Sequence, residues 1–95
     1  MSSLTIDQFR RLALHVDGKT LLTLRSRRAF RAGITAEGLT IAPLSSGVER
    51  SISWTEVDRF LAHFNTIASF TPVLYRTLTF NASYLLAVVK ALTNT

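Results

Sequence analysis

The chain has 95 residues, 47% of them hydrophobic and 18% charged, with 11 Lys or Arg against 6 Asp or Glu. That length suits one domain spanning residues 1–95, and the apolar fraction excludes a disordered chain. With no cysteine, disulfides and thiolate chemistry are excluded.

The first predicted element is a helix from Thr5 to Val16. Ile6, Phe9, Leu12, Ala13 and Val16 share one face, Thr5 and Gln8 form a capping box, and Gly18 marks the exit. After Gly18 the period shortens towards two. Thr20–Leu24 reads as a strand, and Arg28–Thr35 as a second in which Phe30, Ala32 and Ile34 face inward while Arg31 and Thr35 face out. Ala36-Glu37-Gly38 is a hairpin connection, with Gly38 expected to supply a positive φ. Leu39-Thr40-Ile41 returns beside Ile34, Pro43 ends that strand or places it at an edge, Ser45-Ser46-Gly47 turns, and Glu49–Ser53 forms a short last strand.

A second helix begins at Trp54 or Thr55, capped by Ser53 with Glu56 or by Thr55 with Asp58. Its apolar stripe is Val57, Phe60, Leu61, Phe64 and Ile67. Pro72–Leu78 is expected as a short helix, and Asn81 caps a last helix from Ala82 to Leu92. The expected fold class is α+β: an N-terminal helix, a three- or four-stranded antiparallel meander, then two or three C-terminal helices.

Nine of the 11 basic residues are Arg, and Arg25, Arg27, Arg28 and Arg31 fall within seven positions. From Gly18 to Ala36 five basic residues, counting Lys19, occur with no acid. Guanidinium groups match phosphate geometry, so Lys19, Arg25, Arg27, Arg28, Arg31 and Arg50 are the candidate nucleic-acid-binding residues. No helix-turn-helix, zinc finger, phosphate loop or RNA-binding motif accompanies them, which favours phosphate contact over base reading. A solvated face paired with Glu37, Glu49, Asp7 or Asp17, or a contact to an acidic protein, is the competing interpretation.

The last helix carries more apolar surface than a single stripe. Tyr84, Leu85, Leu86 and Val89, with Phe70 and Phe80, are therefore the candidate oligomer interface, and a homodimer is expected. His15 and His63 assemble neither a metal site nor a base, and the six acids serve as caps, turns and surface ions. No catalytic residue, metal or cofactor is expected, and the protein is not read as an enzyme. Trp54 is expected as a lid at one end of the core. The N-terminus lacks the basic and apolar regions of a secretory signal, and the C-terminal apolar run Leu85–Val89 is too short for a membrane span, so a cytoplasmic location is expected.

The stretch from Phe30 through Gly38, Leu39 and Ile41, past Ser46-Gly47 and Arg50 to the helix near Trp54, then Asn81-Ala82-Ser83-Tyr84-Leu85-Leu86, resembles a pattern in small uncharacterised bacterial proteins carried on mobile elements such as integron gene cassettes. The resemblance implies a compact α+β protein that oligomerises, and it brings no catalytic residues. Two functions thus stand side by side: a non-enzymatic protein binding nucleic acid through phosphates as a homodimer, and a homo-oligomeric or protein-interaction module without nucleic-acid binding.

Overall fold

A computed structural model describes residues 4–24, 26–45, 47–75, 79 and 81–93. Helix α1 (Ile6–Ala13) continues into a 3-10 turn (Leu14–Val16). Strands β1 (Thr20–Leu22), β2 (Ala29–Ile34), β3 (Gly38–Pro43) and β4 (Arg50–Ser53) follow, then α2 (Trp54–Ile67), a 3-10 turn (Pro72–Tyr75) and α3 (Ala82–Thr93). The strands form one antiparallel sheet in the order β1-β2-β3-β4. The helices cover one face of the sheet. Phe30, Ala32, Leu39, Ile41 and Ile52 point into that layer and are fully buried against Phe9, Phe60, Leu85 and Val88.

Local chemistry accounts for the boundaries. The Thr5 hydroxyl accepts from the Gln8 N–H at 3.2 Å and Gln8 Oε1 accepts from the Thr5 N–H at 3.1 Å, closing the expected capping box. Leu4 ties this helix start to α2, its N–H donating to Asn65 Oδ1 and its carbonyl accepting from Asn65 Nδ2. Ser53, rather than Thr55, caps α2 by accepting from the Glu56 N–H at 3.2 Å. That helix ends at Ala68, a left-handed residue with φ 50°, whose N–H donates to the Phe64 carbonyl. Pro43 is the last residue of β3.

Several details differ from the sequence-based expectations. Strand β1 stops at Leu22, because the Thr23 side chain turns inward to hold the following loop. Of the expected short helix Pro72–Leu78, the part Pro72–Tyr75 is 3-10 rather than α, and residues 76–78 lie outside the described residues. Gly38 does not have a positive φ. Its small size is needed because a Cβ there would overlap the Ile52 carbonyl on the neighbouring strand. Asn81 precedes α3, but its side-chain amide donates to Glu56 Oε2 at 3.2 Å; the Thr79 hydroxyl donates to the same carboxylate oxygen, so the start of α3 is tied to the first turn of α2.

Candidate nucleic-acid interface

The connection between β1 and β2 is organised by one buried threonine. Thr23 is 3% exposed. Its hydroxyl accepts from the Arg28 N–H at 2.9 Å and shares a hydrogen bond with Ser26 Oγ at 2.9 Å. Its backbone N–H donates to the Arg28 carbonyl, and its own carbonyl accepts from the Arg27 N–H. These bonds hold Arg27 in the left-handed region, φ 56°, a conformation that costs a non-glycine residue about 1–2 kcal/mol. Arg27 and Arg28 are exposed, and these bonds to Thr23 hold their backbone.

Three residues further on, Arg31 points away from the helical layer, between Thr20 on β1 and Ala42 on β3. This second face of the sheet is open. Towards the turn the next row is Leu22–Ala29–Leu44, with Leu22 47% and Leu44 56% exposed. In the other direction the row is Gly33–Thr40–Ser51. None of the four strands contains an acid, and their only charges are Arg31 and Arg50. Among the described residues, Arg27, Arg28 and Arg31 form no ion pair. Glu37 lies in the β2–β3 turn, at the other end of β2, and the exposed Asp17 stands beside Gly33 at the β1 edge of that face, its Oδ1 accepting from the Ile34 N–H at 2.9 Å.

The other predicted cations do not join this group. Arg50 pairs in register with the buried Ile41 and so belongs to the helix-covered side, two strands from Arg31. Its guanidinium sits 5.7 Å from the Tyr84 ring centroid, and that ring meets Phe30 edge-on at 5.1 Å. Arg50 thus roofs the core. Lys19 is exposed just before β1 and pairs through its carbonyl with Ala32, a covered-face residue, so it lies outside the row of Arg31. Arg25 lies outside the described residues.

The predicted oligomer surface is corrected more strongly. Leu85, Leu86 and Val89 are 0% exposed within a single chain. Helix α3 is apolar on several sides because it packs at once against α1, β1 and both 3-10 turns, leaving no surplus face. Tyr84 is half-buried beneath Arg50. Phe70 is half-buried too, between Phe64 and Lys90, whose ammonium lies 5.2 Å from its ring. Phe80 lies outside the described residues. The exposed large apolar side chains among the described residues lie elsewhere: Leu22 and Leu44 on the open sheet face, Val73 and Leu74 on the second 3-10 turn, Leu14 after α1, Val48 before β4 and Ile67 at the end of α2. The Leu22–Ala29–Leu44 row was missed by sequence reasoning, although the hairpin register of β2 and β3 would have revealed it.

His63 packs edge-on against Tyr75 at 5.4 Å, whose hydroxyl donates to the Ser69 carbonyl at 2.6 Å, while His15 is exposed after α1. Burial pushes the Tyr75 phenol above its ordinary value, partly offset by that hydrogen bond. Among the described residues, no group of three or more His, Asp or Glu side chains is placed to hold a metal ion, and no helix is long and apolar enough to cross a membrane. Comparison with protein-family models, with curated proteins and with solved structures found no match.

Proposed function

We propose that this chain binds nucleic acid through the sugar-phosphate backbone, using the β1–β2 turn and the adjoining open face of the sheet, without catalysis. The observation that carries this reading is the continuity of Arg27 and Arg28, whose backbone is tied to Thr23, with Arg31 on a sheet whose four strands contain no acid. A guanidinium that meets no carboxylate is available to a phosphate, and a backbone already held in place loses little freedom on binding. Thr20, Thr40 and Ser51 add hydroxyls to the same face, the donors that commonly accompany arginine on phosphates. No helix is presented for the major groove by this surface, which supports contact without sequence preference.

A second reading, a homodimer or other protein interface, is favoured by the exposed Leu22 and Leu44, flanking half-buried Ala29 on the same face, rather than by α3. Fluorescence anisotropy with duplex and single-stranded DNA and RNA at low salt separates the two. Phosphate binding predicts similar affinities across sequences, a steep loss with added salt, and uniform weakening in the R27Q/R28Q variant. Absence of binding by the folded protein, together with concentration-dependent sedimentation abolished by Leu22→Asp, would replace the first reading with the second.

A further inference from the structure

At the opposite end of β2 from the arginine turn, a cleft of about 620 Å³ lies between α1, the end of β2 and the start of α2. Residues 7, 10, 11 and 14 recur at the i, i+3, i+4, i+7 spacing of one helix face, and this face lines the cleft while Phe9 and Ala13 face the core. The volume falls within the range of small-molecule sites, about 300–1,000 Å³.

The walls have a definite chemistry. Leu14, 62% exposed, faces the cleft with Ile34 and Trp54, giving it an apolar lining. Trp54 is held in place: its indole Nε1 donates to the Ala36 carbonyl at 3.1 Å, its backbone N–H donates to the Glu37 carbonyl, and its ring meets Phe9 edge-on at 6.5 Å. The Arg10 guanidinium lies 5.0 Å from the Trp54 ring centroid, which orients one cation at the rim. Arg11 supplies a second, and among the described residues it forms no ion pair. Thr35 contributes no free donor, since its hydroxyl already donates to the Gly38 carbonyl and accepts from the Glu37 and Gly38 N–H groups. Asp7 sits on the same helix face as the two arginines, so the lining residues carry two cations and one anion.

The geometry points to a binding site for a small organic monocarboxylate with an apolar body, its carboxylate held by Arg10 and Arg11 and its body laid on Leu14, Ile34 and Trp54. A planar carboxylate matches a guanidinium fork. The single net positive charge suits a monoanion, whereas Asp7 opposes a phosphate dianion. This site is separate from the proposed phosphate-binding turn, from which β2 sets it roughly 20 Å away.

Trp54 is the only tryptophan, so its fluorescence reports directly on the cleft. Titration of the intact protein with 3-phenylpropionate is expected to give a saturable change with half-saturation at or below about 1 mM. The neutral 3-phenylpropanol should bind at least about tenfold more weakly, a charge-assisted pair being the difference. Arg11 is exposed, so R11Q should fold normally and lose the same factor, while L14D should remove the apolar contact and abolish saturation. The R27Q/R28Q variant should bind 3-phenylpropionate as the wild type does. A linear, unsaturable response, equal binding of the alcohol, or an R11Q titration matching wild type would overturn the assignment. An equal response to inorganic phosphate would also overturn it, in favour of a bare anion site.

Discussion

Replacing Leu86 by Ala separates a core position from an interface position. The side chain is 0% exposed in one chain, and the substitution removes three carbons from a closed environment. At about 0.8 kcal/mol per buried methylene the transfer loss alone is about 2.4 kcal/mol, and the residual cavity raises the expected cost to about 3–4 kcal/mol. A domain of this size is stable by about 5–14 kcal/mol, so the variant should still fold. Its melting temperature should fall by about 12–30 °C, from the usual 4–8 °C per kcal/mol for small domains. Circular dichroism melts over a wide range of protein concentration are the assay. The shift should be the same at every concentration, because Leu86 packs within its own chain. A melt within a few degrees of wild type, or a deficit that shrinks as concentration rises, would refute the reasoning by showing that a second copy covers Leu86. Leu86→Glu should leave no folded protein to assay, since a carboxylate at this position has no partner.

Gly38→Ala should cost at least about 2 kcal/mol in urea unfolding, because its Cβ overlaps the Ile52 carbonyl and β3 and β4 must separate; an unchanged midpoint would show that the strands yield freely. Ala68→Gly should stabilise by about 0.5–1 kcal/mol in calorimetry, the relief of a left-handed alanine exceeding the added freedom of the unfolded chain. Arg27→Gly should stabilise by a similar route yet weaken nucleic-acid binding and reduce the salt slope by about one, so that stability and affinity move in opposite directions. Above pH 10.0 the unfolded chain ionises Tyr75 while the folded chain retains its proton, so this contribution is complete below that pH and declines as pH rises through the folded value. Urea midpoints on either side of pH 10.0 should therefore fall less in Tyr75→Phe than in wild type.

The elements legible in the sequence are those decided by neighbours in the chain. The Thr5–Gln8 box, the Phe9–Ala13–Val16 stripe, the Phe30–Ala32–Ile34 alternation and the Ser53 cap all depend on spacings of a few residues, and each has its expected place. What escaped depends on partners distant in sequence. The breadth of the apolar arc on α3 was readable, but whether α1, β1 and the 3-10 turns or a second chain would cover it was not. Arg50 and Arg31 look equivalent as basic strand residues until the register with Ile41 and Ala42 assigns them to opposite faces. Gly38 illustrates the same limit, since a turn glycine and a glycine admitting a neighbouring carbonyl have the same letter. The arginine cluster was visible as composition, whereas the role of Thr23 in holding the backbone of Arg27 and Arg28 required the fold.

Every strand of the sheet lies beside its neighbour in the chain, and this has a kinetic consequence. The three hairpin pairings close short loops, so the sheet can assemble by successive zipping without a long-range search. Among the steps that bring distant segments together are the seating of Leu4 on Asn65, 61 residues away, the closure of Glu56 on Asn81, 25 residues away, and the packing of α3 against α1 and β1. In a nucleus built on the β2–β3 hairpin, α1 and α3 join after the sheet. Substitutions at Asn65 or Asn81 should then speed unfolding while leaving the folding rate nearly unchanged, the signature of contacts made on the native side of the barrier.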